Sequence, residues 1–153
     1  MVVNGIALRG SWRVTYRDVL TGRSWAGGRY ANVVCLNGKS FLASWLNLES
    51  PVHNRANVYG AVGTSATPPG SSDTVLGNEL ARVLLATSSR LSNVVTLDFF
   101  FNSGQGNGTL TEAGLFLDAG GGSGSGNLLS HVAISENKTS AVTMTLEFSL
   151  QIG

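Results

Sequence analysis

Cysteine is almost absent from this sequence of 153 residues, and long apolar runs are missing. The single thiol, Cys35, excludes an intrachain disulfide and a Cys-rich zinc site, so nothing requires an oxidising compartment. No segment reaches the roughly 20 apolar residues of a membrane helix, and the N-terminus lacks the pattern of a secretory signal. We therefore predict no membrane partner, and we expect Cys35 to be a small buried side chain.

Charged residues are also few, at 12% of the chain, and the formal net charge is only +1. The strong basic excess of a typical nucleic-acid-binding protein is therefore missing, and we predict no nucleic-acid partner. The charge is unevenly spread, because residues 1–60 carry seven cations against two anions while the remainder carries three against seven. We expect arginines on the wet face of a strand, where they can meet acidic groups of another copy or another protein.

Patterns that support catalysis or cofactor binding are missing as well. The tract GGGSGSG at residues 120–126 has no lysine and precedes the strand-like LLSHVAI, which argues against a phosphate-binding P-loop. His53 and His131 have no Cys, His or carboxylate at ligand spacing, and no Gly-x-Ser-x-Gly motif is present. We predict structural histidines, no catalytic residue, no cofactor and no metal site. A deep polar pocket in which an acid and a histidine converge would contradict this prediction.

Regular alternation of apolar and polar residues is abundant. Residues 142–151 place five apolar side chains on one face and five polar ones on the other, which is typical of a strand with one buried face. Shorter segments of this kind predict seven or eight strands, and residues 37–52 predict one helix ended by Pro51. The predicted fold class is mainly β, an antiparallel β-sandwich or jelly-roll-like barrel with one short helix. One domain covers residues 12–153, after a candidate N-terminal arm at residues 1–11.

Two local features leave alternatives open. The pair Gly27 and Gly28 indicates either a loop or a bulge. Residues 78–101 contain two apolar runs separated by polar residues 88–93, which predicts a hairpin. A helix over residues 78–85 is the competing interpretation of the first run.

Several short motifs follow one another in order along the chain. They are Gly63 with Thr64, then Leu76, Glu79 and Arg82 at three-residue spacing, then Thr111, Glu112, Gly114, Leu115 and Phe116, and finally Lys138 ahead of the terminal strand. This succession resembles a recurrent module of tailed-bacteriophage structural proteins over about residues 32–150. The resemblance implies a non-enzymatic structural protein of the virion, made in the host bacterial cytoplasm, and it transfers no catalytic residue.

The resemblance leaves the place on the particle open. A self-contained domain without coiled-coil heptads or fibrous repeats fits a capsid decoration or cement subunit best, and such subunits are commonly trimers. The predicted partners are other copies of the chain, as a trimer or another homo-oligomer, and the phage major capsid protein or tail proteins. A tail-fibre, baseplate or tail-adaptor subunit, structural or receptor-binding, is the first alternative. A carbohydrate-binding module is a more remote one.

Two sets of residues are candidates for contacts. Aromatic and arginine side chains contribute most to interfaces, and here they cluster at Trp12, Arg13, Tyr16, Arg17, Trp25, Arg29 and Tyr30. The competing interpretation for Trp12 and Tyr16 is that they fill the core. Charged residues also interrupt apolar segments at Glu79, Arg82 and Glu112. Because an unpaired buried charge is costly, we expect structural ion pairs or subunit contacts there.

Overall fold

Antiparallel strands make up most of the computed structural model, which describes residues 7–47 and 57–153. Together with one short helix they confirm the predicted mainly β fold class. In chain order the elements are β1 (Leu8–Asp18), β2 (Ser24–Ala31), β3 (Val33–Val34), α1 (Leu36–Leu46), β4 (Tyr59–Gly63), β5 (Glu79–Leu91), β6 (Val94–Phe101), β7 (Gly108–Leu117), β8 (Asn127–Lys138) and β9 (Val142–Ile152).

The nine strands of the described residues form one sheet in the order β2-β1-β9-β6-β5-β4-β7-β8-β3. It curls until β2 lies against β8, which gives a nearly closed, barrel-like sheet. Side chains make this join, because the Glu136 carboxylate on β8 accepts hydrogen bonds from the Tyr16 and Tyr30 hydroxyls, at 2.7 Å each. Burial and this carboxylate raise the pKa of both tyrosines. Gly27 and Gly28 form a bulge in β2, and the Gly28 N–H also donates to Glu136.

The terminal strand β9 is the centre of the core. Its residues alternate without error between buried and part-exposed from Val142 to Leu150, as the sequence predicts. It pairs with β1 on one side and β6 on the other, so its buried face meets apolar side chains from both. The ring of Trp12 on β1 lies 4.9 Å from that of Phe148, centroid to centroid, and its indole N–H donates to Ser130 Oγ at 2.9 Å.

Residues 79–101 form the predicted hairpin. Its turn is confined to Ser92 and Asn93, so β5 continues further than the predicted turn at residues 88–93 allowed. The competing helix over residues 78–85 does not form. The reason is that residues 79–84 pair with β4 and residues 85–91 pair with β6, which satisfies the backbone as a strand.

The helix α1 packs on β8 through Gly38. A Cβ atom at this position would overlap the Cα atom of Leu129, so only glycine allows the close approach. Cys35, at the N-cap, is fully buried as predicted, and burial raises the pKa of its thiol to about 11. The predicted helix end at Pro51 lies outside the described residues.

The candidate N-terminal arm is in part a strand of the barrel. Residues 8–11 belong to β1 and pair with residues 149–152 of β9. The domain therefore begins before residue 12, because the ladder between the two strands continues to Leu8. Residues 1–6 of the arm lie outside the described residues.

Candidate functional site

The seven candidate interface residues divide between the core and the outer face of β1 and β2. Trp12 and Tyr16 are only 1% and 5% exposed, which corrects their assignment to an external surface. The reason is the alternation of β1, which turns both aromatic rings into the barrel and turns Arg13 and Arg17 outward. The remaining candidates keep some exposure to solvent: Arg13, Arg17, Trp25, Arg29 and Tyr30.

The outer side of β1 and β2 carries a cluster that we call the arginine face, composed of Arg9, Arg13, Arg17 and Arg29. Within the described residues, Arg13 is the one member with a carboxylate partner, Glu147 on β9. Asp18 ends β1 nearby, but its carboxylate binds backbone N–H groups of its own turn. The hydrogen bond from Thr21 is the main cause that lowers the pKa of Asp18.

The other acidic side chains of residues 7–47 and 57–153 are engaged elsewhere. Glu79 pairs with Arg82, Glu136 binds two tyrosines, and Asp98 accepts a hydrogen bond from the Thr87 hydroxyl at 2.8 Å. Because these carboxylates bind groups of the same domain, a chain of small net charge can still present a basic surface. The arginine face is electropositive because three of its guanidinium groups lack a carboxylate within the described chain.

A second candidate site surrounds Glu112, a carboxylate that is 1% exposed. Its Oε1 accepts backbone N–H groups from Asn78 at 2.8 Å and from Ser65 at 3.2 Å, and its Oε2 accepts the N–H of Gly77 at 2.9 Å. A side chain at Gly63 would overlap this carboxylate. Glu112 therefore holds the loop between β4 and β5 onto β7.

His131 lies between two carboxylates and is 3% exposed. Its Nε2 is 3.0 Å from Glu112 Oε2, and its Nδ1 is 2.7 Å from Asp73 Oδ2. Both contacts are hydrogen bonds when both ring nitrogens carry protons. The N–H of Gly70, 2.7 Å from the same Asp73 oxygen, is the main cause that lowers the pKa of Asp73, and His131 adds to it.

His131, which has no carboxylate at ligand spacing in the sequence, therefore contacts two carboxylates in the folded chain. Its partners are 19 and 58 residues away in the chain, so no sequence spacing shows them. The other histidine, His53, lies outside the described residues. A weak signal for the cluster was present, because Glu112 interrupts an otherwise apolar strand and needs a partner there.

A cleft of about 440 Å³ opens beside His131. Its lining is rich in hydroxyl groups and includes Ser65, Thr67, Ser72, Asp73, Thr74 and Glu112. An acid and a histidine therefore converge at a polar cleft, as in many enzymes. Here both ring nitrogens face carboxylates rather than a hydroxyl or thiol, and Glu112 is already occupied by backbone donors. The geometry is that of an electrostatic clamp on the loop.

Glu79 and Arg82 form a bidentate ion pair that fixes the glycine-rich segment. Arg82 Nε and Nη2 donate to the two Glu79 oxygens at 2.6 and 2.7 Å, and Arg82 Nη1 donates to the carbonyls of Gly120 and Ser125 at 3.0 Å each. The guanidinium also lies over the ring of Phe116, 4.4 Å from its centroid. Glu112 is not part of this pair, because it binds His131 instead.

Lys138 is a buried cation, 1% exposed, whose Nζ donates to Asn107 Oδ1 at 2.8 Å. Burial lowers its pKa. Within the described residues this neutral amide is its one hydrogen-bond partner. Like Glu112 and Arg82, Lys138 belongs to the ordered motifs of the sequence, and each of the three ties together separate parts of the barrel.

Among the described residues, no group of three or more His, Cys, Asp or Glu side chains is arranged to hold a metal ion. In that same part of the chain no helix is long and apolar enough to cross a membrane. The sequence matches no protein-family model and no curated protein, and the fold matches no solved structure. Fold and sites together define a small barrel-like β domain with buried polar clamps and a basic outer face.

Proposed function

We propose that this protein is a non-enzymatic structural component of a tailed-bacteriophage particle, most simply a capsid decoration or cement subunit. The observation that carries the proposal is the arginine face, in which guanidinium groups without a carboxylate partner among the described residues lie on the two paired strands β1 and β2. Arginine is one of the residue types that contribute most of the energy of protein interfaces. The partner is an acidic surface on the major capsid protein or on a tail protein.

The buried clamps support a structural role. Glu112 holds one loop, Arg82 holds the glycine-rich segment, and Lys138 joins β8 to Asn107 ahead of β7. These residues are three of the four charged members of the motifs that resemble a phage structural module. They stabilise the domain through contacts inside it, which is what a rigid building block requires.

A second exposed surface fits contacts between copies of the chain. Leu84 and Phe100 are 49% and 47% exposed, and they lie on the outer side of the neighbouring strands β5 and β6. Exposed apolar side chains on adjacent strands form the kind of patch that marks a protein contact. The proposal therefore includes a trimer or another homo-oligomer on the particle.

Charge reversal on purified particles tests the proposal. Arg17→Glu and Arg29→Glu are expected to lower occupancy by roughly tenfold or more, because they replace attraction to an acidic partner by repulsion. The matched control is Arg90→Glu on the β5–β6 hairpin, three strands away from β1 in the sheet. Equal occupancy of Arg17→Glu, Arg29→Glu and control particles would contradict the proposal, provided that all variants melt at the wild-type temperature.

Two measurements separate the alternatives. Labelling of the protein in electron micrographs of virions distinguishes a shell-wide decoration from a tail-fibre, baseplate or tail-adaptor subunit. A glycan array distinguishes either from a carbohydrate-binding module, which would bind defined sugars as an isolated domain.

The cleft beside His131 favours one further candidate, an acid–base enzyme. It is less favoured because His131 and Glu112 are held by contacts that a catalytic base would have to give up. A panel of ester, glycoside and phosphoester substrates tests it. Turnover by the wild-type protein that is lost in His131→Asn would replace the structural proposal.

A further inference from the structure

Two arginines face each other directly on the arginine face. Arg13 on β1 is the register partner of Arg29 on β2, and Glu147 on β9 is the register partner of Arg13 on the other side. Like charges directly opposite each other on a sheet are unfavourable. Glu147 pairs with Arg13 and so compensates one of the two charges, while Arg29 has no carboxylate within the described chain.

One donor of this pair is buried without an acceptor. The Nε–H of Arg13 is shielded from solvent and has no hydrogen-bond partner, although the side chain as a whole is 43% exposed. A buried donor without an acceptor is uncommon in native proteins, and an unoccupied ligand position is one of its explanations. The Glu147 carboxylate binds Nη2 of the same guanidinium and leaves the Nε–H without an acceptor.

A cleft of about 340 Å³ lies at this place. Its lining includes Ser11, Arg13, Arg29, Tyr30, Glu147 and Ser149. The local charge is positive, with two guanidinium groups against one carboxylate. The candidate donors are the guanidinium groups of Arg13 and Arg29 and the hydroxyl of Ser11, which together form a receptor for an oxyanion once the Arg13 side chain turns its Nε–H toward the cleft.

We propose that the cleft between Arg13 and Arg29 binds a single carboxylate side chain presented by the acidic surface of the particle partner. This inference rests on the proposed function, since it names the group that the arginine face recognises. A carboxylate matches the planar fork of a guanidinium and carries one negative charge. The nearby Glu147 repels a doubly charged phosphate more strongly than a carboxylate, which favours the carboxylate.

The isolated protein tests the cleft directly, with hexaglutamate peptide as the probe at fixed ionic strength. We expect saturable shifts of the Arg13 and Arg29 Nε–H resonances in nuclear magnetic resonance spectra of the labelled protein. Arg13→Lys keeps the positive charge but lacks the Nε–H, and it is expected to bind roughly tenfold more weakly. The matched control is Arg17→Lys on the same face, with a change of less than about twofold.

Three outcomes would overturn the inference. The first is that the Arg13 Nε–H resonance does not respond to hexaglutamate. The second is that Arg13→Lys binds as tightly as Arg17→Lys. The third is that inorganic phosphate at the same ionic strength produces the shifts and hexaglutamate does not, which would make the cleft a phosphate site.

The design also separates this inference from the proposed function. The cleft would be supported, and the particle role contradicted, by two results together. Hexaglutamate binding would depend on the Arg13 Nε–H, and particles would carry wild-type amounts of Arg13→Lys, Arg17→Glu and Arg29→Glu. Loss of occupancy in the two charge reversals without any hexaglutamate binding would support the particle role and overturn the cleft.

Discussion

Removal of the Glu112 carboxylate is the sharpest test of the buried clamp. In Glu112→Ala, three backbone N–H groups and His131 lose an acceptor. A hydrogen bond to a charged group is worth about 1.5–3 kcal/mol, so four would sum to roughly 6–12 kcal/mol. The loop donors can bind water once the carboxylate is gone, whereas His131, 3% exposed, cannot. We therefore expect a loss of about 3–5 kcal/mol, the usual cost of breaking a buried ionic contact by removing one partner.

Urea denaturation and thermal melting measure this loss. For a chain of this length, about 3–5 kcal/mol lowers the melting temperature by roughly 10 °C or more. Glu112→Gln, which keeps the size and one acceptor oxygen, should lie between wild type and Glu112→Ala. The matched control is Glu147→Ala, which removes a carboxylate from an ion pair whose side chains are 43% and 27% exposed, and which should cost about 1 kcal/mol or less. If Glu112→Ala were as stable as Glu147→Ala, the carboxylate would not be the clamp that holds the loop.

Three further predictions concern single titratable groups. The pKa of Asp73 is lowered in the folded protein, chiefly by the Gly70 N–H, so the ionised carboxylate stabilises the fold. This contribution to stability is full above about pH 4 and is lost as the pH falls below the ordinary pKa of 3.8. Asp73→Asn should remove this part of the acid dependence in urea titrations between about pH 5 and pH 2. Cys35 is fully buried and its pKa is raised to about 11, so the thiol should resist thiol reagents at about pH 8 until urea unfolds the protein. Rapid labelling of the native protein would contradict this prediction, because it would show that the thiol is accessible. Lys138→Met replaces a buried ammonium, held by one neutral amide, with an apolar chain of similar length. We expect unchanged stability or a gain of about 1 kcal/mol. A loss of more than about 2 kcal/mol would mean that the ammonium has a larger structural role.

The strands were predictable because their signal is local. In β9 every second side chain is buried, and the alternation of apolar residues along that segment gives the same period. The alternation of β1 also held information about the interface. Trp12 and Tyr16 share a parity opposite to that of Arg13 and Arg17, so both pairs cannot lie on one surface of a strand, and the aromatic pair belongs inside.

The polar cluster was not predictable in the same way, because its contacts are long-range. Asp73 lies in a loop, Glu112 in β7 and His131 in β8, and the three meet only when that loop folds back over the sheet. Sequence reasoning could state that Glu112 needs a partner but not which residue provides it. The turn of the β5–β6 hairpin was placed too early for a related reason, since the polar residues before Ser92 lie in an exposed part of β5 that still pairs with β6.

The residues that stabilise the domain and those proposed to bind the partner lie in different parts of the chain. Glu112, Arg82 and Lys138 lie within residues 32–150, where the sequence resembles a phage structural module, and their charged groups are buried. The arginine face lies within residues 9–29, before that segment, and its guanidinium groups point outward from β1 and β2. Changes in the two sets should therefore have separable effects. A variant of the arginine face should lose particle binding at wild-type stability, because no buried contact is broken, whereas Glu112→Ala should lose stability in the isolated protein with or without a partner.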